Sequence, residues 1–125
     1  MNAKVRKIPG PDHPITMEPN THRLVVSVAG RIIADTRNAL GLREANYPLV
    51  YYIPRKDADM ALLERTEHST HCPYKGVCSY YSIPVGGAKS ANAVWSYEDP
   101  YSSVLEIKNH LAFYRNRVDT IEESQ

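Results

Sequence analysis

Thiol, imidazole, ammonium and phenol groups crowd into one stretch of this chain, His68-Ser-Thr-His-Cys-Pro-Tyr-Lys-Gly-Val-Cys-Ser-Tyr-Tyr81. It holds both cysteines, two of the five histidines and three of the nine tyrosines. Cys72 follows His71 and stands three positions before Lys75. Cations beside a sulfur lower its pKa and raise the thiolate fraction, which makes Cys72 a candidate nucleophile with His71 or His68 as its base. The competing reading is a small apolar residue at a strand end, inert because it is buried. His68, His71, Cys72 and Cys78 offer elements that zinc takes, in the order His-x2-His-Cys-x5-Cys. Structural zinc sites use Cys-x2-4-Cys knuckles, and adjacent strand residues face opposite ways, so no metal site is assigned.

Around this stretch the candidate ligand-binding residues are Arg55, Thr70, Lys75, Trp95 and Tyr97. Lys75-Gly76 after Pro73-Tyr74 forms a turn that would aim an ammonium at a ligand, with glycine allowing close backbone approach. Thr70 would hydrogen bond, and Trp95 and Tyr97 would give aromatic walls. Arg55 stays open, whereas Asp57 has a sufficient role as a helix cap. The aromatic load is mostly tyrosine, with one tryptophan and one phenylalanine. The pairs Tyr51/Tyr52 and Tyr80/Tyr81 must each send one ring to either face of a strand.

Elements to position these groups follow from the remaining pattern. The 125 residues suit a single domain spanning 1–125, long enough to bury a core without staples. A formal charge of +1, from 15 basic and 14 acidic side chains interspersed, gives no field that would attract nucleic acid. No apolar run approaches the roughly 20 residues of a membrane span, and the first residues lack a signal peptide's apolar core. A soluble cytoplasmic protein with reduced cysteines is expected. Residues 1–20 carry four prolines and read as an extended arm in which Ile15 and Met17 tuck under a sheet. Leu24, Val26 and Val28 alternate with Val25, Ser27 and Ala29 in a strand, and Gly30-Arg31 turns it into a second, residues 32–36. Residues 38–44 and 48–54 give two more, the latter bounded by prolines. Asp57 is expected to cap a short helix to about Glu64. Strands follow over residues 77–85 and 92–97, separated by a Gly86-Gly87 loop flexible enough to be a flap. A helical turn from Val104 leads to a last strand through Tyr114, closed by Val118 and Ile121, with residues 122–125 as a frayed tail. The fold class is thus mainly β, a compact antiparallel sheet domain with one or two short helices.

Several phrases then fall in a familiar order: Pro9-Gly-Pro-Asp-His-Pro-Ile15, Ile33-Ala-Asp-Thr36, Tyr51-Tyr-Ile-Pro-Arg-Lys-Asp57, Thr70-His-Cys-Pro-Tyr-Lys-Gly76, Trp95-Ser-Tyr-Glu-Asp-Pro100 and Ala112-Phe-Tyr114. This order resembles a small bacterial family, domain of unknown function 427, which carries a nucleotidyl-transferase-like label. The resemblance implies a mostly antiparallel β fold of β-tent (Mss4-like) shape, two sheets meeting over a pocket. Cys78 departs from it, so a role needing two thiols would not carry over. The chain has no glycine-rich phosphate loop and no paired-aspartate metal motif of the kind nucleotidyl transfer uses. Three function classes stay open. One is a module binding a small anionic or heteroaromatic molecule; another is an enzyme, either a thiol enzyme using Cys72 or a nucleotidyl transferase. The third is an interaction protein built on zinc or on a strand-edge dimer. No motif identifies a cofactor, and monomer and homodimer are both open.

Overall fold

The computed structural model describes residues 5–125. Ten strands occur along them: β1 (Ile15–Asn20), β2 (Arg23–Val28), β3 (Arg31–Thr36), β4 (Ala39–Glu44), β5 (Val50–Pro54), β6 (Glu64–Cys72), β7 (Gly76–Ser82), β8 (Val94–Ser96), β9 (His110–Phe113) and β10 (Thr120–Ser124). They form a seven-stranded sheet, ordered β1-β4-β5-β9-β8-β7-β6, and a three-stranded sheet, β10-β2-β3. Each pairing is antiparallel. The mainly β class expected from alternation and proline punctuation is what the molecule shows. Among the described residues no helix is long and apolar enough to cross a membrane.

The seven-stranded sheet carries a core on each face. Leu24, Val26 and Val28 of β2 are buried, as their alternation requires, and pack with Ile53, Leu111 and Phe113 between the two sheets. On the opposite face Leu42, Tyr52, Cys78, Tyr80 and Tyr97 pack with Val104 and Ile107, with Ile15 and Met17 of β1 packed against them. The tyrosine pairs divide between these cores as a period of two demands: Tyr51 and Tyr81 lie with the first, Tyr52 and Tyr80 with the second. Each fully buried Leu, Ile or Val contributes about 1.5–3 kcal/mol of transfer free energy.

The sheet is also curled. Four strand steps separate β4 from β7, about 19 Å in a flat sheet at roughly 4.8 Å per step. Yet Glu44, the last residue of β4, touches Lys75 in the turn before β7. The N-terminal arm bridges the same gap: Lys7 N–H donates to the Pro73 carbonyl at 2.8 Å, and Ala45 N–H to the Pro14 carbonyl at 2.8 Å.

Several local expectations are corrected. The β2–β3 turn is Ala29-Gly30, both with positive φ (51° and 74°), because Val28 pairs with Arg31. The helix expected from Asp57 is replaced by two single 3₁₀ turns, Arg55–Asp57 and Met60–Leu62. Between them Ala58 bridges Ala34 and Asp59 N–H donates to the Ile33 carbonyl at 2.8 Å, so pairing with β3 overrides a short segment's helix propensity. Asp59 is the cap, accepting from Ala61 N–H at 3.2 Å, while Asp57 accepts the Thr36 hydroxyl at 2.7 Å. Residues 86–87 are no free flap. They lie in a 3₁₀ stretch, Pro84–Ser90, whose Ser90 is buried and donates to the Arg117 carbonyl at 2.7 Å. The tail is no frayed end either: Glu122, Glu123 and Ser124 pair with Val25, Leu24 and Arg23. Residues 1–4 of the expected arm lie outside the described residues, and its last six form β1.

Candidate functional site

Lys75 occupies the turn between β6 and β7, and Gly76 makes that turn possible with φ +111°. Only 7% of Lys75 is exposed. Its ammonium donates to Glu44 Oε1 and lies 5.7 Å from the centre of the Tyr97 ring. The other oxygen of Glu44 stands 2.7 Å from His13 Nε2, and the His13 ring stacks on Tyr74, centroids 3.9 Å apart and planes 5° from parallel. A polar latch therefore joins the arm, β4 and the β6–β7 turn.

Burial pushes the Glu44 carboxyl upward, but hydrogen bonds from Lys75 and His13 outweigh it and leave the pKa below its ordinary value. A carboxylate depressed on folding adds stability that is complete above its unfolded pKa, about 4.3, and is lost as pH falls through the lower folded value. The urea midpoint of the protein is expected to drop below about pH 4.5, with surface Asp35 and Asp119, also lowered, sharing the effect. Glu44→Gln should flatten that decline, and an unchanged slope between pH 5 and 3 would show that Glu44 contributes nothing to it.

Beside the latch lies a cavity of about 250 Å³. Trp95 of β8, Tyr52 of β5, Tyr80 of β7 and Tyr114, just past β9, form its aromatic walls; Lys75, Glu44 and Tyr97 form its polar end. Trp95 meets Tyr52 edge-on at 6.3 Å and Tyr114 at 4.5 Å, and its indole N–H donates to the Tyr52 hydroxyl at 3.2 Å. The Tyr80 and Thr70 hydroxyls are 2.9 Å apart. Burial raises the phenol pKa values of Tyr52, Tyr80 and Tyr97, so all three remain neutral hydroxyls near pH 7. The arrangement offers flat apolar faces and, at one end, an ammonium beside a carboxylate.

Of the residues proposed from the sequence, Lys75, Trp95 and Tyr97 line this one cavity. Thr70 reaches it through the Tyr80 hydroxyl. Cys72 packs into the second core behind the walls, and buried Cys78 has its thiol pKa pushed up by burial. His71 is on the other face of β6 from Cys72, 3.0 Å from the Tyr101 hydroxyl, so the structure does not join it to Cys72 as a base. His68 lies against the Tyr80 ring, centroids 4.4 Å apart. Zinc would need these two histidines and both cysteines to converge, and among the described residues no three His, Cys, Asp or Glu side chains are grouped to hold a metal ion. Arg55 lies elsewhere. It donates to the Tyr81 hydroxyl at 2.9 Å and faces Glu98 at 3.7 Å, while Arg65 takes the other Glu98 oxygen at 2.8 Å.

Sequence reasoning missed Glu44 and His13 as site residues, and left Tyr52, Tyr80 and Tyr114 unassigned among the aromatic residues that could line a pocket. Glu44 and His13 are each 31 positions from their partners, and no local pattern announces such pairs. The one signal was that His13, Tyr74, Lys75, Trp95 and Tyr114 all sit within the ordered phrases quoted above.

A search among curated proteins finds no match. A family model described as domain of unknown function (DUF427) matches residues 16–124, nearly the whole chain and each wall of the cavity. The chain belongs to that family.

Proposed function

We propose that the protein binds a small, flat, heteroaromatic molecule in the cavity between Trp95 and Tyr97, with its polar edge toward Lys75 and Glu44. The observation that carries this is the convergence of Lys75 with Trp95 and Tyr97, about twenty positions further along the sequence, on one open cavity. Ligand pockets characteristically combine aromatic lining with a few convergent polar groups. Because Glu44 already neutralises Lys75, a neutral heteroaromatic ligand is favoured over an anionic one.

The enzyme alternatives have less behind them. Glu44 is the one carboxylate on the cavity wall and is already engaged by two partners, so nucleotidyl transfer finds no carboxylate pair there. A thiol reaction would need Cys72 to face the ligand, which the cavity walls do not include.

Thermal-shift screening of heteroaromatic compounds tests the binding reading. A compound at 100 times its Kd should stabilise the wild type by about 2.7 kcal/mol, on the order of 10 °C. Trp95→Ala should itself cost about 2 kcal/mol and abolish the shift. If no compound stabilises wild type more than Trp95→Ala, the reading fails.

A further inference from the structure

β5 and β9 share a ladder of only two residue pairs, Ile53 with Leu111 and Pro54 with His110. Toward its N-terminus β5 stays paired with β4, through Val50, Tyr51 and Tyr52, while β9 stays paired with β8 through Phe113 and Ala112. The large sheet is therefore parted between residues 50–52 and 112–114. The Tyr51 hydroxyl donates to Glu123 of β10 at 3.0 Å, tying one lip of the parting to the small sheet.

A second cavity of about 440 Å³ opens here. Val26 and Ile121 of the small sheet, Leu49, Ile53 and Phe113 give it aliphatic and aromatic walls, and exposed Arg115 is its one charged wall residue. Tyr47, Pro48, Val50, Trp95 and Tyr114 belong to both cavities. Trp95 and Tyr114 thus stand as a partition, with the polar latch on one side and the space between the sheets on the other. Protein interiors hold few voids larger than a water molecule. Water in an apolar slot finds few hydrogen-bond partners, so an apolar group that displaces it gains affinity.

We infer that the two cavities are halves of one site for an amphipathic ligand. Its flat polar head lies against Trp95 and the Lys75–Glu44 pair, and an apolar arm passes the Tyr47-Pro48 lip into the parting between the sheets. This rests on the small-molecule reading above and adds the chemical class of the ligand. The parting supplies a reason for the missing ladder: continuing β5–β9 pairing to Val50 would close the route between the cavities.

The test uses nicotinamide and its 6-n-propyl, 6-n-pentyl and 6-n-heptyl derivatives, titrated by calorimetry and by the fluorescence of Trp95, the single tryptophan. Affinity should rise about fourfold for each added methylene. Ile121→Phe and Leu49→Phe alter walls of the second cavity and none of the first, so each should remove the dependence on chain length and leave nicotinamide itself binding as to wild type. Trp95→Ala and Lys75→Met should weaken every member. If nicotinamide binding needs Trp95 and Lys75 but elongation gives no gain, or gives the same gain in Ile121→Phe and Leu49→Phe, the two-part site is overturned and the head site stands. If the long-chain compounds bind without regard to Lys75 and Trp95, the head placement fails and both readings fall. Absence of saturable binding by every member overturns both as well.

Discussion

Lys75→Met is expected to lower stability by about 3 kcal/mol, the cost of leaving Glu44 buried without its cation. Both side chains are largely enclosed, at 9% and 12% exposure, so water can replace the lost partner only in part. The double variant Lys75→Met/Glu44→Leu should recover most of the loss, because removing both charges also removes the desolvation cost of each. Urea unfolding with an unchanged m-value reads out all three proteins. A single variant within about 0.5 kcal/mol of wild type would mean that Lys75 is effectively solvated. Hydrogen exchange at Lys7 should rise in Lys75→Met, since its N–H bond to Pro73 holds the arm against the same turn.

Gly86→Ala should cost about 3 kcal/mol or more. A Cβ there would stand 2.1 Å from Ser90 Oγ and 2.7 Å from Val28 Cγ1, both closer than atoms can approach. Ser90 is buried and bonded to Arg117, and Val28 belongs to the core, so neither side chain has room to yield. Gly87→Ala meets open space and pays only for its backbone (φ 65°, ψ −150°), a conformation essentially confined to glycine, at about 1–3 kcal/mol. A mobile flap would tolerate both substitutions alike. Thermal unfolding of the two variants, side by side, separates these cases.

What was legible in the chain was whatever one element carries by itself. β2 announced its buried face through Leu24, Val26 and Val28, and the tyrosine pairs announced that their rings must part. β10 was illegible because Glu122 and Glu123 show no apolar alternation; a ladder uses main-chain groups that every residue has. The glycines at 86 and 87 promised mobility, since composition does not reveal that Ser90 and Val28 close over one of them. At the site, the side chains rich in chemistry were found and their partners were not. Lys75 stood out by type and turn, whereas Glu44 lay at the end of a strand ambiguous in its own pattern. The choice between Cys72 and the cavity depended on facing, which adjacent residues alternate and the curl of the sheet decides.

The position of β9 has a consequence for how the molecule comes into being. It is the ninth strand made, yet it sits at the centre of the large sheet and joins β1-β4-β5 to β8-β7-β6. As the nascent polypeptide leaves the ribosome, β5 and β8 each present an unpaired flank until residues 110–113 emerge. Assembly must wait for nearly the whole chain, which places this protein among slow folders and makes its stalled translation products prone to stick to one another.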